Sequence, residues 1–236
     1  MQLSALELAS LKQLPLFGRL APEAFERVID CLRLETCRVG QTLCRQGEPA
    51  RACFVVVEGW MKLSRVSATG AETVIHICSR GQSFAEAAAL TGAPHEVSAE
   101  SVSPALVARL PAGCLTQLMA EQPDFASALL MSVSAQVGAL MDEIESLKGV
   151  SVDHKVAHFI LSLCPASAEN WRFRLPYGKR LIAARLGIKQ ETLSRSLARL
   201  RALGVETGET SREIAVANVQ RLRAEASKMT REPVRV

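Results

Sequence analysis

Between residues 36 and 110 the apolar pattern runs at period two. It is broken by Gly40, Gly47, Gly59, Gly70, Gly81 and Gly92, spaced seven to twelve residues apart. Short strands with turn signals at that interval belong to an all-β barrel or sandwich. The expected strands include Cys53 to Val57, Trp60 to Arg65, Thr73 to Cys78 and Ala105 to Arg109, with a hairpin turn at Ala68-Thr69-Gly70-Ala71. A short N-terminal helix and a helical stretch at residues 22 to 32 precede them. A closed β-roll of this length has an interior, and an interior can hold a ligand.

After residue 122 the period changes. Ala126, Leu130, Val133, Val137, Leu140, Ile144 and Leu147 follow 4-3-4-3-4-3 spacing, an a/d seam over three heptads. Such a stripe serves either as a parallel dimer seam or as one amphipathic helix lying on its own β-roll. A second apolar face at Phe125, Leu129 and Met141 can cover the roll, which leaves the a/d seam for a second copy. Residues 149 to 153 read as a hinge, with Asp153 as the N-cap of a helix from His154 to Leu163. The domain expectation is therefore a sensor at 1–122, a dimerisation helix at 123–148, a hinge at 149–153 and a final domain at 154–236.

The charge is divided along the same line. Residues 1–150 carry 12 Lys+Arg and 16 Asp+Glu, a net −4, while residues 151–236 carry 16 and 8, a net +8. A basic segment joined to an acidic one is the footprint of a nucleic-acid-binding domain attached to a domain with another task. Within it, residues 179–203 (KRLIAARLGIKQETLSRSLARLRAL) form two helical patterns broken at Gly187. Small Ala183 permits close helix crossing and glycine permits the turn, as a helix-turn-helix requires. The second helix begins near Lys189. Glu191, Ser194 and Arg195, at i, i+3 and i+4, share one face near its N-terminal half, the half that enters the major groove in this motif. A guanidinium grips guanine O6 and N7, a carboxylate accepts from cytosine N4, and a seryl hydroxyl approaches a thymine edge. Gln190 and Thr192 flank that face, and Lys179, Arg180, Lys189 and Arg199 are expected to contact phosphate. A hairpin over Val205 to Val216, turning at Gly208 to Ser211, would complete a winged helix.

Other classes are set aside by what is missing. No apolar run nears the ~20 residues of a membrane span, and the N-terminus carries acid, so a cytoplasmic protein without membrane contact is expected. Seven cysteines with no Cys-x-x-Cys pair argue against a disulfide scaffold and against a cysteine-ligated metal. No nucleophile elbow, Walker loop, dinucleotide fingerprint or His-Glu-x-x-His occurs, so no enzyme is expected.

The order of roll, long helix, hinge and winged helix-turn-helix resembles the Crp/Fnr family of bacterial transcription regulators over roughly residues 14–220. Arg45-Gln46-Gly47-Glu48, Leu186-Gly187-Ile188 and Glu191-Thr192-Leu193-Ser194-Arg195 carry the likeness. The resemblance implies an α+β chain. Its N-terminal sensor is a double-stranded β-helix (a jelly roll of the cyclic-nucleotide-binding type), followed by a long dimerisation helix and a C-terminal winged helix-turn-helix. It also implies a homodimer that works with RNA polymerase. The Glu-x-x-Ser-Arg face is similar to that of the Fnr branch and implies a TTGAT-N4-ATCAA palindrome.

The input is read from departures. Where the cyclic-nucleotide branch has Phe-Gly-Glu and then Arg-Ser, this chain has Phe84-Ala85-Glu86 and Val97-Ser98. Without the arginine a cyclic phosphate lacks its cationic partner, so cAMP is not expected. No cysteine precedes Cys31, so an Fnr-type iron–sulfur cluster is not expected either. The element Phe84-Ala85-Glu86-Ala87 is similar to that of the DNR/NnrR group, which implies nitric oxide sensed at a b-type haem and control of denitrification or anaerobic genes. Phe84, Glu86, His76 and His95 are the expected effector-pocket residues, and the axial ligand is left open among His76, His95, His154 and His158. The alternative is a FixK-like regulator with no cofactor, or one switched by cysteine oxidation.

Overall fold

A computed structural model of the chain describes residues 3–147, 151–164, 168–175, 178–208 and 213–229. It divides into two compact units, Met1–Ala139 and Leu140–Val236. The first begins with α1 (Ala5–Lys12), started by a capping box in which Ser4 and Glu7 satisfy each other's backbone N–H groups, and α2 (Pro22–Cys31), with proline in its first turn. Five strands follow: β1 (Arg33–Cys37), β2 (Thr42–Cys44), β3 (Ala52–Glu58), β4 (Met61–Val66) and β5 (Glu72–Cys78). Next come β6 (Ser83–Phe84), α3 (Glu86–Thr91), β7 (Ser98–Ser101), β8 (Ala105–Pro111), α4 (Ala112–Glu121) and α5 (Pro123–Leu147). The strands form two antiparallel sheets, β1-β8-β3-β6 and β2-β7-β4-β5.

Strand β3 shows why its apolar run does not alternate. Ala52, Phe54 and Val56 point into the roll with Cys37, Cys44, Met61, Cys78 and Val107. Cys53, Val55 and Val57 point outward into a second core with Leu11, Phe25, Val28, Leu115 and Phe125. A strand buried on both faces reads as continuous hydrophobicity. Gly59, just after it, has φ +81°, and a Cβ there would fall 2.8 Å from Ala105 Cα. Only glycine fits this turn.

On α5, Phe125, Ala128 and Leu129 are buried in the outer core, as expected for the roll-covering face. Met141, assigned to the same face, is instead 64% exposed. The covering contact turns polar after Leu129, where Gln136 Nε2 donates to Ser83 Oγ at 3.1 Å. The a/d residues Leu130, Val133, Val137 and Leu140 are all exposed in the single chain, and Ala126 is half-buried. The side chains of Ile144 and Leu147, and Gly149 and Val150 of the expected hinge, lie outside the described residues. Among the described residues, no helix is long and apolar enough to cross a membrane.

The second unit contains α6 (Val152–Ser162), β9 (Trp171–Arg174), α7 (Lys179–Arg185) and α8 (Gln190–Leu200), then a 3-10 turn at Arg201–Leu203. It ends with β10 (Val205–Thr207), β11 (Glu213–Val216) and α9 (Val219–Met229). The expected N-cap shifts by two residues. Ser151 caps α6, its hydroxyl accepting from His154 N, and Asp153 stands inside the first turn, so the hinge cannot extend to 153. Gly187, at φ +64°, turns the chain from α7 into α8, and Ala183 is buried where the two helices cross. The wing is a three-stranded sheet, β10-β11-β9. Strand β9 and helix α9 were not anticipated. The tip of the wing, residues 209–212, lies outside the described residues.

Candidate functional site

The α8 helix is amphipathic in the manner its sequence predicts. Leu193, Ser196, Leu197 and Leu200 are buried against the unit, while Gln190, Glu191, Ser194 and Arg195 are exposed and Thr192 is half-buried. No hydrogen bond or ion pair ties Glu191, Ser194 or Arg195 to any other described residue. Three polar side chains share one face with no partner among the described residues, which leaves them available to an outside partner. Lys179 and Arg180 open α7 and Lys189 is the N-cap of α8, with Arg180 and Lys189 exposed.

Arg199 departs from the expected phosphate role. Its Nε and Nη2 each donate to the Asp153 carboxylate at 2.6 Å, a bidentate pair between α8 and the first turn of α6. Burial pushes the Asp153 carboxyl up, but the two hydrogen bonds and the charge of Arg199 outweigh it and leave the group below the ordinary range. In the same unit Arg185 lies over the Phe159 ring, 5.6 Å from its centroid.

In the sensor unit Phe84 is buried and stacks on Phe54, with ring centroids 5.1 Å apart. Ala85 has φ +67°, the one non-glycine residue of the described chain in the left-handed region. Glu86 starts α3. Burial raises its pKa, the Ser83 hydroxyl acts in the opposite direction, and its Oε1 has no hydrogen-bond partner among the described residues. Ser83 also accepts from Gln136, which ties the start of this segment to α5.

The histidines are placed less favourably. His95 is buried and lines a cavity of about 410 Å³ with Glu35, Glu48, Arg51, Phe54 and Arg109. Burial lowers its pKa, Glu48 opposing, so the ring is neutral at neutral pH. A mainly apolar cavity of about 340 Å³ is lined by Pro15, Ala128, Met131 and Ala135, with Arg19, Arg80 and Gln82 at its edges. No histidine lines it. Gln82 of its lining has its amide nitrogen 3.4 Å from His76 Nε2. A haem needs an axial donor at the edge of an apolar slot. Here the buried imidazole and the apolar slot belong to different cavities, so the described sensor side chains do not fit a histidine-ligated haem as they stand. His154 and His158 stack at 6.1 Å in the second unit, where His154 Nδ1 lies 2.8 Å from the Ala226 carbonyl.

Five of the seven thiols are held in their unreactive, protonated form by burial. Burial drives Cys31 and Cys44 to about 11 and Cys53 to about 12, and raises Cys37 and Cys164 as well. A thiol that reacts at neutral pH needs its pKa lowered, not raised.

A roll of two antiparallel sheets carrying a long helix with an exposed heptad seam, together with a unit that presents an unengaged polar face on a helix-turn-helix, defines a DNA-binding regulator. Residues 34–122 match the family description "Cyclic nucleotide-binding domain", and residues 154–225 match "Crp-like helix-turn-helix domain". A solved Ruegeria pomeroyi protein, described as cyclic-nucleotide-binding, is 34% identical, with TM-score 0.70 and coverage of 93% of this chain and 96% of that one. DNR from Pseudomonas aeruginosa is 29% identical, with TM-score 0.52 over 95% of this chain and 99% of that one. The global nitrogen regulator of Synechococcus elongatus is 26% identical over 72% of this chain and 79% of its own length. The chain belongs to the Crp/Fnr family of transcriptional regulators, whose members are dimers that bind DNA through this helix-turn-helix.

Proposed function

We propose that this regulator binds a TTGAT-N4-ATCAA-like palindrome as a homodimer in the cytoplasm, with Glu191, Ser194 and Arg195 reading base edges. The observation that carries the reading is the exposed, unengaged state of those three side chains on one face of α8. Lys179, Arg180 and Lys189 supply phosphate contacts, Gln190 and Thr192 border the face, and RNA polymerase is the partner at the promoter. The exposed seam of Leu130, Val133, Val137 and Leu140 supports the homodimer. Two recognition helices must meet successive major grooves about one helical turn apart, so a small reorientation switches specific binding. The contacts available to start that switch are the Ser83–Gln136 hydrogen bond and the packing of Phe125 and Leu129, which join α5 to the roll beside Phe84 and Glu86.

Arg195→Ala should lose about 1–3 kcal/mol of discrimination between the palindrome and a scrambled duplex. A ratio equal to that of the wild-type protein would refute the assignment.

For the input, the likeness to DNR and the Phe84-Ala85-Glu86-Ala87 element support nitric oxide at a b-type haem, controlling denitrification or anaerobic genes. The separation of the sensor histidines from the apolar cavity favours the second reading, a FixK-like regulator with no cofactor. The raised thiol pKa values count against the variant switched by cysteine oxidation. Anaerobic haem titration separates the readings: a saturable Soret band that moves with nitric oxide supports the first, and the absence of specific binding supports the second.

A further inference from the structure

Arg199 is a base- and phosphate-contacting residue type on the DNA-reading helix, yet it is held by another part of the fold. Asp153 lies 46 residues earlier in the chain, two positions after the residue that caps α6. Its carboxylate takes both Nε and Nη2 of Arg199 at 2.6 Å. We propose that Asp153 is a positioning residue for DNA reading, which grips Arg199 to fix the rotation of α8 about its own axis. The proposal rests on the reading of α8 as the DNA-reading helix.

Helical geometry supports the assignment. Arg199 lies four residues beyond Arg195, about 40° further around the helix. This places it on the flank between the exposed Glu191-Ser194-Arg195 face and buried Ser196. A side chain on that flank can turn outward to a phosphate or back toward α6, and in this structure it turns back. Isolated surface ion pairs contribute little because water and side-chain freedom compete with them. This pair differs in two respects. The planar guanidinium meets the carboxylate through two parallel hydrogen bonds, a geometry with directional preference. The carboxylate is also only 24% exposed, so water competes weakly on that side. The contact therefore acts as a stop against rotation of α8. Base readout depends on which side chains face the groove, so a rotation that costs the fold little removes Glu191, Ser194 and Arg195 from their edges together.

The test uses the full chain and labelled duplexes carrying either the TTGAT-N4-ATCAA palindrome or a scrambled sequence, titrated by fluorescence anisotropy over a series of KCl concentrations. Asp153→Asn, Arg199→Ala and Arg199→Lys should each weaken palindrome binding about tenfold, with the double variant Asp153→Asn/Arg199→Ala no weaker than either single. Binding of the scrambled duplex and the slope of log K against log salt should not change. The proposal is overturned if Arg199→Ala weakens both duplexes alike and reduces that slope by about 0.9, the signature of a lost phosphate contact. It is also overturned if Asp153→Asn tightens binding to both duplexes, as a freed Arg199 would. Scrambled-duplex binding and a cooperative melting curve show that each variant is folded, and Arg199→Lys, which keeps the charge, carries the test should Asp153→Asn not fold. Arg195→Ala separates the two levels of the argument. If it leaves discrimination intact, the reading of α8 fails; if it abolishes discrimination while Asp153→Asn does not, only the role of Asp153 fails.

Discussion

Replacing Ala85 by glycine should stabilise the sensor unit, against the usual direction for a glycine substitution. Ala85 sits at φ +67°, ψ +15°, between buried Phe84 and the first residue of α3. An L-residue with a Cβ costs roughly 1–2 kcal/mol in that conformation because the Cβ crowds the following carbonyl. Glycine removes the crowding and loses about 0.4–1 kcal/mol through the greater freedom of the unfolded chain. The difference is a net gain of about 1 kcal/mol, and for a unit of this size that raises Tm by roughly 2–4 °C. Calorimetry of the full chain, with the sensor transition followed separately, measures the shift. Ala85→Val should move it the other way, since a β-branched residue is poorly accommodated at positive φ. An unchanged or lowered Tm for Ala85→Gly would mean that neighbouring contacts, and not the backbone, decide the stability of this turn.

Gly59→Ala should act oppositely, losing at least about 1–2 kcal/mol of backbone strain plus the collision with Ala105; an unaltered urea midpoint would contradict this. Leu130→Asp should shift the protein toward monomer in sedimentation while leaving monomer stability within about 0.5 kcal/mol, because Leu130 is exposed in the single chain; an unchanged dimer would remove the seam assignment. His95 is held below its ordinary pKa by burial, so the unfolded chain binds its proton more readily than the folded one. Its contribution to stability is present above the ordinary histidine value of about 6.5 and is lost as the pH falls below it. Urea midpoints between neutral and mildly acidic pH should therefore decline, and His95→Gln should flatten the decline.

Much of the architecture follows from local pattern. Short apolar segments with regular glycine breaks yield β3, β4, β5 and β8 within a residue or two of the expected ends, and the heptad from Ala126 onward yields α5. The spacing of Glu191, Ser194 and Arg195 places them together because a helix brings i, i+3 and i+4 to one face whatever surrounds it. The same locality explains what was missed. Strand β9 alternates over only four residues, Trp171 to Arg174, too few to stand out locally, and is held in place by the hydrogen-bonding edge of β11, with Trp171 opposite Val216 and Arg174 opposite Glu213. Asp153 has the chemistry of an N-cap, yet Ser151 takes the role and leaves Asp153 for Arg199.

By itself, then, the sequence determined the main strands of the roll, the glycine turns, the heptad seam and the face of α8 that looks outward, since each depends on residues within a few positions of one another. Only the tertiary structure decided that Arg199 is engaged by a residue 46 positions away, that Met141 does not cover the roll, and that His95 and the apolar cavity beside Met131 lie apart. These outcomes depend on which surfaces the folded chain brings together, and packing, not periodicity, sets that.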